Sequence, residues 1–451
     1  MHSPNGDHDG LPVDELPDDD RQSLIESAKA QGSDLQALQN HSAAELLELA
    51  RHDGIEVLPN LGKGELLFAI LEHRFARSGL GWAEGVLDVL PDGFGFLRSF
   101  RHDYEPGPED VYVSPSQIRR LNLKQGHQLA GPVRPPRRGE KYFALLHVES
   151  IDGGGVADLR TRVPFAARTP ILPNERLRLD RASASPDLRA IDLLTPWGKG
   201  QRVLITAPPG SGRTRLLLRL AEALRDNHPE VHVSMCLLDE RPEEVTGIRR
   251  AMHGPRSDVV ATTFDQPPGR HIALAEMALA RAQHMVEVGA DVVLLFDSLT
   301  ALTRAYNLEL PPSGRLLCIG LDAQAVQRPK RLFGAARKLE EGGSLTILAT
   351  ALCGTDARLD QAILEEFANR GNADVVLDRE LADLHLDPAL DVLRTGTRRE
   401  DMLIPAPAVA KLQRLRQELA PLSRRERLAK VLALLQESPT NEELLARLGR
   451  S

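Results

Sequence analysis

Nothing in this chain stays apolar long enough to cross a membrane as a helix, which takes about 20 consecutive residues. The opening stretch from Met1 to Asp20 is polar and acidic, which is not the pattern of a secretory signal. Cysteine is scarce. Cys236, Cys318 and Cys353 lie far apart without metal-ligand spacing, so no disulfide framework is expected and a reduced, cytoplasmic compartment is. A positive balance is also missing. The formal net charge is −8, so a nucleic-acid partner needs a local basic surface rather than a basic whole. Lysine is rare, because most of the 56 basic residues are arginine.

What is present describes a globular chain. Its 451 residues suggest two to four domains. Apolar content of 42% and charge of 27% are ordinary for such proteins. One stretch organises the rest: Val203-Leu204-Ile205-Thr206-Ala207-Pro208-Pro209-Gly210-Ser211-Gly212-Arg213-Thr214. It reads as an apolar strand, a glycine-containing loop and the start of a helix, the order that a nucleotide-phosphate loop requires. Glycines let the backbone fold around an anion, and the N–H groups at the helix start point at it. Thr214 is expected to place its hydroxyl on Mg²⁺. Two positions break the G-x-x-x-x-G-K-[ST] pattern: Ala207 replaces the first glycine and Arg213 the lysine.

Residues 1–37 read as a disordered acidic leader and 38–80 as a small helical domain. In the latter, Ser42-Ala43-Ala44-Glu45 forms a capping box ahead of one helix, and Leu61 to Phe75 forms a second. From Trp82 the pattern alternates. Ala83–Leu90, Phe94–Arg98, Asp110–Val113, Gln128–Arg134 and Tyr142–Val148 read as strands of an oligonucleotide-binding barrel spanning 81–150. Phe94 and Phe96 share one face and could stack single-stranded bases. The bland alternative is that they fill the barrel. Arg98, Arg119, Arg120, Arg134, Arg137 and Arg138 supply basic surface. Residues 151–185 read as a linker.

Within 186–451 the βαβ pattern continues. Val231 to Leu238 is a buried strand followed by Asp239-Glu240-Arg241, and a carboxylate there sits in the ligand crevice. Glu240 is placed to polarise an attacking water. Met277 to Val288 is helical. Asp291 to Ser298 is an apolar run ending in Asp297, expected to hold Mg²⁺ through water. Leu345 to Ala351 is a further strand, and Val409 to Leu448 is largely helical packing.

Longer words then carry a resemblance. Asp239-Glu240-Arg241-Pro242-Glu243-Glu244-Val245, Arg304-Ala305-Tyr306-Asn307, Arg328-Pro329-Lys330-Arg331, Glu341-Gly342-Gly343-Ser344 and Val111-Tyr112-Val113-Ser114-Pro115-Ser116 are similar to the Rho transcription termination factor family over about residues 38–451. The resemblance implies a small N-terminal helical domain, a cold-shock-like oligonucleotide-binding β-barrel and a RecA-like α/β phosphate-loop ATPase domain. It implies a homohexameric ring that binds nascent single-stranded RNA, engages the RNA polymerase elongation complex and uses RNA-dependent ATP hydrolysis to release transcripts. The primary RNA site it implies comprises Gly93, Phe94, Gly95, Phe96, Leu97, Arg98, Asp110, Val111, Tyr112, Glu140, Lys141 and Tyr142. Arg315 and Arg358 would be ring-lumen RNA contacts. ATP would be lined by Gly198, Lys199, Gly200, Gln201, Arg202, Val203, Gly210, Ser211, Gly212, Arg213, Thr214, Arg215 and Arg241. Glu240 would be the catalytic carboxylate, Arg213 would stand in the catalytic lysine's place, and Arg398 would reach a neighbouring subunit's ATP as an arginine finger.

Departures from the family pattern cluster where nucleotide binds: Arg213, Ala301, His385, Asp387 and Arg215. A guanidinium is larger and planar where an ammonium is compact. An Asp at 387 is expected to add repulsion near base and phosphates. The RNA half shows no such departures. A second reading is therefore a Rho-like RNA-binding protein, weak in hydrolysis, that modulates an active Rho by mixing into its ring.

Overall fold

The computed structural model describes residues 34–55, 61–78, 81–180, 184–318, 320–355 and 357–448. The chain divides into two compact units, Met1–Arg162 and Val163–Ser451. Most of the expected leader lies outside the described residues. Its last part does not, since Asp34 caps a short helix, Leu35–Gln39, through bonds to the Gln36 and Ala37 N–H groups.

In the first unit, the capping box at Ser42 is formed. The Ser42 hydroxyl accepts from the Glu45 N–H at 3.3 Å, and the Glu45 carboxylate accepts from the Ser42 N–H at 2.6 Å. The two expected helices are Ala43–His52 and Lys63–Ser78, joined by an Arg74–Asp53 ion pair of 2.7 Å. The barrel strands are β1 (Gly81–Val89), β2 (Gly95–Arg98), β3 (Val111–Val113), β4 (Gln128–Arg134) and β5 (Phe143–Leu145). They pair in the order β1-β2-β3-β5-β4, and β4 returns to β1, so the sheet closes. Helices and barrel share one core. Leu46, Leu67, Ile70 and Leu71 pack with Leu87, Leu97, Val111 and Leu129, and Phe75 meets Phe143 edge-on at 5.1 Å. The helical segment is thus a flank of the barrel unit rather than a core of its own.

The expected linker at 151–185 is largely structured. Ser150–Ile151 pairs with β4, and Val156–Thr161 is helical within the first unit. Beyond Arg162, Pro170–Ile171 pairs with Arg337–Leu339, and Arg176–Leu177 with Trp197–Gly198.

The second unit is built on a mainly parallel sheet. Its strands lie in the order Ser257–Thr263, His232–Glu240, Asp291–Asp297, Ser344–Leu352, Arg202–Ala207, Ala373–Val376, with Gly396–Thr397 antiparallel at the edge. The central strands are buried and mainly apolar, as parallel strands covered on both faces are. Arg213–Asn227 and Pro242–Ala251 pack Leu217, Leu220, Val245 and Ile248 into one of its two faces. The C-terminal segment is helical as expected, over Ala406–Leu419, Arg424–Gln436 and Asn441–Arg447.

Candidate RNA-binding and nucleotide sites

Strand alternation sorts the barrel residues. Leu97, Val111 and Val113 point into the core, while Phe96 and Tyr112, paired in register across β2 and β3, face outward. Phe94, Phe96, Tyr112 and Tyr142 form one aromatic patch. Ring centroids are 5.9 Å apart for Phe94–Phe96, 5.7 Å for Phe94–Tyr112 and 4.8 Å for Phe96–Tyr142. None of the four rings belongs to the barrel core cluster. Phe96 is mostly covered by its companions, whereas Tyr142 is exposed.

The glycines beside Phe94 serve the strand geometry. Gly93 occupies a turn at φ +86°, and a Cβ on Gly95 would stand 2.6 Å from the Asp88 carbonyl. They let β1 and β2 turn and approach closely. Leu97 and Val111 are fully interior, so any RNA contact they make is through backbone.

Arg98 is buried and committed. It pairs with Asp110, donates to Asp88 Oδ2 at 3.3 Å, and lies 5.1 Å from the Phe96 ring centroid. It therefore stiffens the aromatic patch from behind. Burial pushes the Asp110 carboxyl up to about 6, against the pull of Arg98. Beside the patch is a cavity of about 560 Å³ lined by Tyr112, Gln117, Arg120, Arg134, Glu140, Lys141 and Tyr142. Arg134 clamps Glu140 through both nitrogens, at 2.6 and 2.9 Å. That clamp, with the Arg137 N–H, holds the Glu140 carboxyl down at about 2. Lys141 and Arg120 line the same cavity without an ion pair among the described residues.

In the second unit, the strand Arg202–Ala207 runs into the loop as expected. Gly210 and Gly212 adopt φ +76° and +82°, conformations that a side chain strains, and the helix starts at Arg213. A cavity of about 720 Å³ brings together Gly210, Gly212, Arg213, Thr214, Arg215, Glu240 and Arg241. Ser211 turns its hydroxyl back to the Pro208 carbonyl at 2.7 Å. Asp297 ends the strand paired with His232–Glu240, fully buried.

Arg213 does not project freely into this cavity. Its Nη2 donates to Glu240 Oε1 at 2.9 Å, and its Nε lies 3.1 Å from Asp297 Oδ2. Burial and the Asp297 charge push Glu240 up to about 7, and Arg213 only partly offsets them. The other Asp297 oxygen accepts from Thr350 at 2.6 Å. Thr350 was not singled out in the sequence, where it is one of the polar residues, with Ser344 and Thr346, of a mainly apolar strand.

Lys199 and its neighbours fall elsewhere. Lys199 Nζ binds Asp291 Oδ2 at 2.7 Å, at the amino end of the strand whose carboxyl end holds Asp297. Gly198, Gly200, Gln201, Arg202 and Val203 share that end. At ~3.3 Å per residue, Arg202 lies roughly 17 Å from the phosphate loop of its own chain. These residues do not line its cavity. Arg398 is at the same end, donating to Asn369 Oδ1 at 3.2 Å. Arg202, Arg337 and Arg398 approach closely enough that burial and their mutual repulsion lower the Arg202 pKa. Arg315 precedes a hairpin, Leu316–Cys318 with Leu321–Asp322, and Arg358 opens the helix Arg358–Phe367; both arginines are exposed.

Two family models match the chain. The Rho termination factor RNA-binding domain covers residues 83–156, and the nucleotide-binding domain of the ATP synthase alpha/beta family covers 187–396. Proteins named transcription termination factor Rho match over most of the chain. The one from Pseudomonas aeruginosa is 45% identical, across 92% of this chain and 99% of its own length. That from Escherichia coli is 44% identical, across 92% and 100%. That from Rhodopirellula baltica is 44% identical, across 92% and 80%. The chain belongs to the Rho family.

Set against that family, two departures explain each other. Asp387 was expected to repel nucleotide. Instead its carboxylate is paired, with Arg215 at 3.3 Å and Arg219 at 3.0 Å, and Arg219 also meets Asp187 at 3.0 Å. The acidic and basic changes therefore form a neutralising pair at the cavity rim. Ala301 donates its N–H to the Ser298 hydroxyl at 3.0 Å, a helix cap that any side chain allows. His385 sits at φ +57°. Nothing in the structure explains why these two differ from the family.

Mg²⁺ was expected on Thr214 and Asp297. The match to the nucleotide-binding domain of the ATP synthase alpha/beta family fits a nucleotide at this loop, while Asp297 faces a cation of the chain itself. One oxygen accepts from Thr350, and the other faces the Arg213 guanidinium at 3.1 Å as a charge contact without a hydrogen bond, so the chain's own cation stands where the metal would.

Proposed function

We propose that this chain acts as a Rho-type transcription termination factor. It binds nascent single-stranded RNA on the barrel and hydrolyses ATP in response, as a homohexameric ring that strips transcripts from the RNA polymerase elongation complex in the cytoplasm. One observation carries the reading: a single chain joins an outward-facing four-ring aromatic patch to a phosphate-loop cavity with a buried carboxylate, Glu240, at its wall. Such rings stack bases without regard to sequence, while Arg120 and Lys141 beside them meet phosphates.

In the motor, loop N–H groups and Arg241 hold the phosphates, and Glu240 orients the attacking water when ionised. Arg398, remote from its own loop, suits a role at a neighbour's nucleotide. Arg315 and Arg358, both exposed, are the lumen contacts of this reading. The test is release of transcripts from stalled elongation complexes by the purified protein with ATP, alongside RNA-stimulated hydrolysis. RNA binding without release or hydrolysis would favour the second reading, a Rho-like protein that joins and modulates another Rho's ring. The Arg213–Glu240 bond is the observation on that side, since it engages the carboxylate that must face water.

A further inference from the structure

The contacts of Arg213 make a cation site from the chain itself. Glu240 and Asp297 end adjacent parallel strands, and the guanidinium lies between their carboxylates: Nη2 donates to Glu240 at 2.9 Å, and Nε stands 3.1 Å from Asp297 as a charge contact without a hydrogen bond. A carboxylate pair at this place, with the loop hydroxyl of Thr214 nearby, is the donor set that draws a divalent cation. Here the facing charge is a loop side chain. A compact ammonium reaches two separated carboxylates less well than a guanidinium, whose charge is spread over a broad plane.

Displacement would be costly. Asp297 is fully exposure-free at 0%, and Glu240 is 6% exposed, so removing the guanidinium strands buried carboxylate charge. The Nη1 group makes no hydrogen bond among the described residues, which leaves a donor for phosphate. Arg215 and Arg241 line the same cavity. The phosphates therefore meet guanidinium groups and loop N–H groups without help from an ion.

We propose that Arg213 is the resident cation of this site: it takes the divalent position between Glu240 and Asp297, so that a nucleoside triphosphate binds without Mg²⁺. The proposal rests on reading the loop as a nucleotide-phosphate site. The test is equilibrium binding of a fluorescent ATP analogue to the full chain, in Mg²⁺ or in excess chelator. The wild type is expected to change its Kd by less than about threefold, while Arg213→Lys acquires a Mg²⁺ dependence of about tenfold or more. RNA binding measured on the same samples shows that both are folded. A wild type that loses about tenfold or more in chelator overturns the proposal and leaves the nucleotide site standing. An Arg213→Lys protein as indifferent to Mg²⁺ as the wild type also overturns it, since another group would then be the cause. No nucleotide binding in either buffer, with RNA binding intact, removes the nucleotide-site reading together with the proposal.

Discussion

Phe96 and Leu97 are adjacent in β2 and face opposite ways, and this makes the RNA surface testable by contrast. Replacing Phe94 and Phe96 together by alanine removes two outward rings. Each base stacked on an aromatic ring contributes roughly 1–3 kcal/mol, so the double variant is expected to lose about 2–4 kcal/mol of RNA affinity. That is a weakening of about 30- to 900-fold. The fold should suffer less. The rings contact one another at 4.8–6.1 Å outside the core cluster, and such aromatic pairs contribute about 0.5–1.5 kcal/mol each. Leu97→Ala should do the reverse. Its side chain is 3% exposed inside the barrel, and a buried Leu→Ala change costs about 2–5 kcal/mol of stability. Its folded fraction should still bind RNA as the wild type does. The assays are fluorescence anisotropy with a pyrimidine-rich single strand and a thermal melt of the same samples. A double variant that keeps wild-type affinity but melts far earlier would show the rings to be barrel filling, and the surface assignment would fall.

Glu240 gives a pH prediction. Its folded pKa is raised to about 7 from an ordinary 4.5, so between those values the folded state holds the extra proton. Stability from this group falls as pH rises through that window, and RNA-stimulated turnover, which needs the ionised form, rises. Glu240→Gln should abolish turnover, retain bound ATP and flatten the stability dependence; a wild-type rate constant across pH 6–8 would contradict this. Arg398→Ala should stop turnover too, and mixing it with Glu240→Gln subunits should restore part of it, because each supplies what the other lacks; mixed rings that stay inactive would refute the finger role. Gly200→Ala should be poorly tolerated. Gly200 adopts φ +89°, and a Cβ would stand 2.2 Å from the Lys338 nitrogen, so a melting temperature equal to wild type would contradict the packing described.

Local signals in the sequence carried much of this. The capping box at Ser42, the strand-loop-helix order at Val203–Thr214, and the apolar runs ending in Glu240 and Asp297 are all chemistry between near neighbours. They reappear with bounds shifted by a residue or two. The helix read from Met277 begins instead at Pro268, because the Ala-rich approach lacked a clear start signal other than the proline itself. What the sequence did not disclose depends on pairing between distant residues. The shared core of helices and barrel needs Phe75 to meet Phe143. The placement of Lys199 against Asp291 follows from which strand lies beside which.

Arg213 shows the same limit from the other side. Read alone, it is a lysine replaced by a bulkier cation, and the question is whether the cation still reaches phosphate. In the fold the question changes. The strand order sets Glu240 and Asp297 side by side, and the broad guanidinium lies within charge-pairing distance of both carboxylates at once. Likewise Arg215 and Asp387, two unrelated departures in the sequence, become one ion pair. Exposed pairs of this kind contribute little stability, about 0–1 kcal/mol, so their consequence lies in the rim's charge rather than in holding the fold. Arg213, Arg215 and Asp387 are therefore departures whose charges are each met by a partner in the fold, while Ala301 and His385 stand apart from them.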